Sequence, residues 1–129
     1  MSRGEKIVKW LPSLVWMAVI FYLSSRSSLP GPWWKSIVGH FTEYAILSVL
    51  FWLALTQTTE LNGKSVVVVA ILLASAYSVS DEWHQSMVPQ RTPELYDLLL
   101  DFFGAALAAL LASRLLSGSV GRGQNPGRN

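Results

Sequence analysis

An all-α fold, an integral membrane four-helix bundle with a polar cluster at its outer face, is predicted by three features of the sequence. It has four separate apolar stretches, few charged residues, and a gathering of ionisable side chains beside the same ends of those stretches. Charged residues make up 14% of the 129, against roughly 25% in soluble globular domains, while 51% are apolar. A soluble domain this small leaves much of its surface facing water and cannot hide so much apolar side chain. A bilayer removes that requirement.

The first stretch, residues 10–23, follows Arg3, Lys6 and Lys9. It is short of the roughly 20 residues a spanning helix needs and has the length of a signal-peptide core. No small-residue cleavage site follows it, however, and the chain runs on through Tyr22-Leu23-Ser24-Ser25-Arg26. The second stretch, residues 37–55, is long enough to span. The third, residues 65–79, opens with the strand-like run from Val66 to Val69. In lipid every backbone group must be satisfied internally, so this segment also reads as a helix. The fourth, residues 98–116, is again of spanning length. The organisation expected is a basic cytoplasmic N-terminus at residues 1–9, a transmembrane domain at 10–116, and a cytoplasmic tail at 117–129 whose Gly-rich composition predicts disorder.

Charge orients the bundle. Arg3, Lys6, Lys9, Lys64, Arg114, Arg122 and Arg128 fall on one side of the four spans, and Arg26, Lys35 and Arg91 on the other. The positive-inside rule puts both termini in the cytoplasm. Trp10 at one boundary, and Trp33, Trp34 and Trp83 at the other, sit where interfacial aromatics are expected. Basic termini around an apolar middle suit anionic membrane lipids as partners and argue against nucleic acid, which calls for basic and aromatic residues interleaved on a folded surface. With no cysteine in the chain, disulfides, thiolate catalysis and cysteine-ligated metal centres are excluded.

The outer segments 24–36 and 80–97 hold most of the chemistry. Residues three and four apart are neighbours on a helix, so His40 lies beside Glu43 and Tyr44. Towards the end of the third helix, Ser75, Ser78, Glu82 and Gln85 form one stripe, with Tyr77, Asp81 and His84 beside it. In the fourth, Asp97 and Asp101 precede Gly104 and Ala108 on one face, and small residues at this spacing allow close helix approach, so the face is expected to point inward. A carboxylate inside a bundle must be paired, hydrogen-bonded or protonated, and His40, His84, Arg91 and Lys35 are the natural partners of Glu43 and Asp101.

At these residues the sequence resembles the VanZ-like family of small bacterial membrane proteins. The matching elements are Phe21-Tyr22-Leu23-Ser24-Ser25, His40-Phe41-Thr42-Glu43-Tyr44, and Ser80-Asp81-Glu82-Trp83-His84-Gln85 continuing through Pro89, Arg91, Asp97 and Gly104. The resemblance implies a four-helix protein of the bacterial inner membrane. Through the family's link to low-level teicoplanin resistance, it also implies an outer-face role in the cell envelope near lipids or cell-wall precursors. It supplies motif positions and no catalytic residues.

The candidate outer-face pocket is therefore His40, Glu43, Tyr44, Asp81, Glu82, His84, Gln85, Arg91, Asp97 and Asp101. Three functional classes fit it: a site binding a lipid-linked or cell-wall-related molecule, an enzyme acting on a lipid-linked phosphate or glycan, and a structural subunit that binds a protein partner. Glu82 with His84, or Glu43 with His40, has the make-up of an acid–base pair, with Arg91 suited to a phosphate through its planar fork. Imidazole and carboxylate also suit several divalent metals, yet no zinc or metalloprotease motif is present and the sequence assigns no cofactor. The orientation is testable with single cysteines at positions 28 and 119. A membrane-impermeant thiol reagent on intact cells is expected to label position 28 and spare 119, and the reverse pattern would invert the topology.

Overall fold

The computed structural model describes residues 1–26, 31–89 and 94–123. Four helices follow one another: α1 (Arg3–Ser24), α2 (Trp34–Thr58), α3 (Gly63–Gln85) and α4 (Leu95–Gly123). Each exceeds the apolar run that predicts it, because flanking polar turns are helical as well. Ser2 caps α1 by accepting from the Glu5 N–H at 3.1 Å while the Glu5 carboxylate accepts from the Ser2 N–H at 2.6 Å, a reciprocal capping box. Most of the basic N-terminal segment is therefore helical. Asn62 caps α3 by accepting from the Ser65 N–H at 2.9 Å. At the other end of the chain α4 continues past the apolar run to Gly123, so the first residues of the expected tail are helical; residues 124–129 lie outside the described part.

All four helices are long and apolar enough to cross a membrane. Their directions alternate, which brings the C-terminal ends of α1 and α3 together with the N-terminal ends of α2 and α4. Among the described residues α2, α3 and α4 all touch one another, whereas α1 packs on α2 and α3 alone. The α2–α3 pair is thus the middle of the bundle, flanked by α1 and α4.

What faces in and what faces out is informative. The interior holds Tyr44, Leu47, Phe51, Trp52 and Leu55 from α2 against the small residues Ala70 and Ala74 of α3 and Ala105, Ala109 and Ala112 of α4. Alongside them Ser13, Ser24, His40, Ser48, Ser78, Asp81, Gln85 and Asp101 are buried. The outward faces carry Leu14, Val15, Val68, Leu72, Phe103, Leu107, Leu110 and Leu111, all exposed. Large apolar groups outward, with alanines, hydroxyls and carboxylates admitted between the helices beside the large side chains of α2, is a distribution that suits hydrocarbon solvent, since interhelical contact there comes from close packing and hydrogen bonds. Exposed apolar surface on this scale does not suit a monomer in water.

The tightest helix approach is at Gly104 on α4. A Cβ built there would run into the main-chain carbonyl of Phe41 on α2, so only glycine lets the two backbones meet. One residue further on, the Ser48 hydroxyl donates to the Ala105 carbonyl at 2.8 Å. Gly39, also helical, has nothing within 4 Å of such a Cβ. Gly104→Ala is therefore expected to destabilise the bundle by roughly 1–3 kcal/mol through overpacking, while Gly39→Ala is neutral or slightly stabilising. Unfolding of the two variants in the same detergent checks this, and equal stability would remove Gly104 as the contact that sets the α2–α4 distance.

Candidate functional site at the polar end of the bundle

Two buried aspartates organise the end where the four helices converge. Asp81, 5% exposed on α3, accepts from the Ser24 hydroxyl of α1 and from the Tyr44 hydroxyl of α2 at 2.9 Å. The Gln85 side-chain amide, one turn on, donates to Asp81 at 3.4 Å and to Ser24 Oγ at 3.3 Å. Donors from three helices thus surround one carboxylate, which is how a buried anion is kept tolerable.

Asp101, 1% exposed on α4, makes the second network. Its Oδ1 is 3.0 Å from His40 Nδ1 on α2, and its Oδ2 accepts from the Ser78 hydroxyl of α3 at 2.6 Å. The other ring nitrogen, His40 Nε2, lies 3.7 Å from Asp97 Oδ2. Ser78 and Asp81 are neighbours on α3, so the two networks stand side by side.

The inward face of α3 is Ala74, Ser78, Asp81 and Gln85, which cuts across the two stripes the sequence predicts. Ala70, Ala74 and Ser78, at four-residue spacing, set that face because their small side chains admit the neighbouring helices. Asp81 turns inward with them, while Glu82 and His84 flank the face and are only half-buried. In α4 the inward placement of Asp101 and Gly104 matches expectation.

The rim is different in character. Glu82 hydrogen-bonds the backbone of Glu94 and has Asp97, His40 and Asp101 as its charged neighbours, yet its Oε1 is buried with no hydrogen-bond partner among the described residues. His84 stacks on Phe21 of α1, ring centroids 4.4 Å apart and planes 15° from parallel, and its Nδ1 is likewise buried and unpartnered among those residues. Glu43 is half-buried near His40, and its main-chain carbonyl accepts from the Trp16 indole at 2.9 Å. Arg91 lies outside the described residues.

His40, Glu43, Glu82, Asp97 and Asp101 are therefore brought together, Tyr44, Asp81 and Gln85 form the adjoining network, and His84 sits apart on the α1 side. The two nitrogens of His40 meet different carboxylates on opposite ring edges, so they do not converge on one point. Among the described residues no group of three or more His, Asp or Glu is arranged to hold a metal ion. Sequence reasoning missed Ser24 and Ser78 as donors. Their signal was position on the inward stripes Ser13, Ile20, Ser24 and Ala70, Ala74, Ser78.

Because Ser24 and Tyr44 donate to the same carboxylate, Ser24→Ala and Tyr44→Phe are each expected to cost roughly 0.5–2 kcal/mol. The double variant is expected to cost more than the sum, since Asp81 would keep only Gln85. A double-mutant cycle on unfolding free energy reads the coupling, and strict additivity would show that no acceptor is shared.

The family model described as VanZ/LLP1 matches residues 9–117 of this chain. No curated protein and no solved structure matches it.

Proposed function

Because the chain belongs to the VanZ/LLP1 family and is a multi-pass membrane protein of four spans, we propose that its polar end binds the polar part of a lipid or cell-wall-related molecule in the bacterial inner membrane. In this reading the polar end faces outward, both termini are cytoplasmic, and binding alters sensitivity to glycopeptides such as teicoplanin.

One observation carries the proposal. The inner networks around Asp81 and Asp101 are hydrogen-bonded on both carboxylate oxygens, while the rim residues Glu82 and His84 each hold a buried polar atom without a partner among the described residues. An unsatisfied buried acceptor costs about 1–3 kcal/mol. A cluster that served only to glue helices has no use for that cost, whereas a site that takes up a ligand with hydroxyl, amine or amide donors recovers it on binding. The outward orientation is supported by the basic side chains gathered toward the opposite end.

The test is native mass spectrometry of the protein purified from bacterial membranes in mild detergent. Wild type is expected to carry a copurifying amphiphile, and Glu82→Gln and His84→Phe are expected to bind it roughly 3- to 100-fold more weakly, the loss of one hydrogen bond, charge-assisted at Glu82, with folding unchanged. Teicoplanin sensitivity of expressing cells should move in parallel. Identical retention by all three proteins would sink the reading. Conversion of the copurifying species to a product by wild type alone would replace binding with catalysis on a lipid-linked substrate.

A further inference from the structure

The geometry points to a proton held as a structural ligand between α2 and α4, with His40 as a doubly protonated imidazolium clamped between Asp101 and Asp97. A neutral imidazole has one N–H donor and one bare nitrogen. His40 has a carboxylate oxygen against each, at 3.0 Å from Nδ1 and 3.7 Å from Nε2. In either neutral tautomer one lone pair would face an acidic oxygen, whereas the imidazolium hydrogen-bonds Asp101 through Nδ1–H and turns a charged N–H toward Asp97 at ion-pair range.

The surroundings agree. Asp101 is 1% exposed and its second oxygen already accepts from Ser78 at 2.6 Å, so the carboxylate is used as an acceptor on both sides. A buried carboxylate must be paired, hydrogen-bonded or protonated, and His40 is the base that lies within ion-pair range of Asp101. The other charged or titratable groups facing His40 are Glu43 on its own helix, Glu82 from α3, and Asp97 and Asp101 from α4. All are acids, and each favours the cation. The inference stands on this arrangement whether or not the polar end binds an amphiphile, and it makes His40 unavailable as a proton acceptor there.

The chain has two histidines, which makes the test direct. In protein labelled with ¹⁵N-histidine and held in lipid bilayers at neutral pH, both ring nitrogens of His40 are expected to resonate in the narrow region of protonated nitrogens. His84→Asn or, if that variant folds poorly, comparison with His40→Asn assigns the signals. A resonance from His40 in the far-downfield region of a bare imidazole nitrogen would overturn the inference. Asp97→Asn supplies a second reading: with a side chain that can donate as well as accept beside Nε2, a bare-nitrogen signal is expected to appear. An unchanged imidazolium in that variant would exclude Asp97 from the clamp.

Discussion

Asp101 is almost wholly withdrawn from the surface, and its two oxygens are met by His40 from α2 and Ser78 from α3. Placed on α4, it ties three helices through one carboxylate, and the rest of the polar end is arranged about that demand. Gly104, one turn further along, lets α4 come close enough to α2 for the His40 contact to form at all. Ser78 must then turn inward, and Asp81, three residues beyond it on the same helix, turns with it and recruits Tyr44 and Ser24. A single expensive group inside an apolar bundle thus sets the rotation of α3 and, through Asp81, the seating of α1.

The helix count was readable because the second and fourth apolar runs are of spanning length and, in lipid, the shorter first and third must satisfy their backbone internally as helices do. Helix ends were less so, since the turns before Trp10 and beyond Leu116 carry no hydropathy signal, although Ser2 three residues before Glu5 has the spacing of a capping box. Spacing within a helix identified Asp101 and Gly104 as inward-facing groups and put His40 beside Glu43 and Tyr44. It could not say that Ser24 would find Asp81, 57 residues later, because sequence spacing describes neighbours on one helix and is silent across two. Of the site, therefore, the acids, the histidines and Tyr44 were legible, and the serine hydroxyls of Ser24 and Ser78 that donate to two of those acids were not.

Bulky apolar side chains cover the outside of the bundle, and its centre mixes the large apolar residues of α2 with alanines and polar groups. Specificity of helix pairing therefore resides in a few contacts: Ser48 to the Ala105 carbonyl, Tyr77 to the Met17 carbonyl at 2.6 Å, Trp10 to Thr58 at 3.2 Å, and the two aspartate networks. Among the described residues the buried polar atoms without a partner are Ser13 Oγ, Ser75 Oγ, Glu82 Oε1 and His84 Nδ1, the last two at the rim.

The seating of α1 has a consequence for biogenesis. This helix touches α2 and α3 but not α4 among the described residues, and it meets the polar end through Ser24, which donates to Asp81, and Phe21, which stacks on His84. A chain delivered to the bilayer from its N-terminus presents Ser24 and then Tyr44, hydroxyls that are cheap to hold in lipid, before Asp81 is made. Asp101 comes last, after both His40 and Ser78 are in place. The costly acids thus enter a membrane in which their donors already wait, and the nascent protein never has to shelter a buried carboxylate that has nowhere to turn.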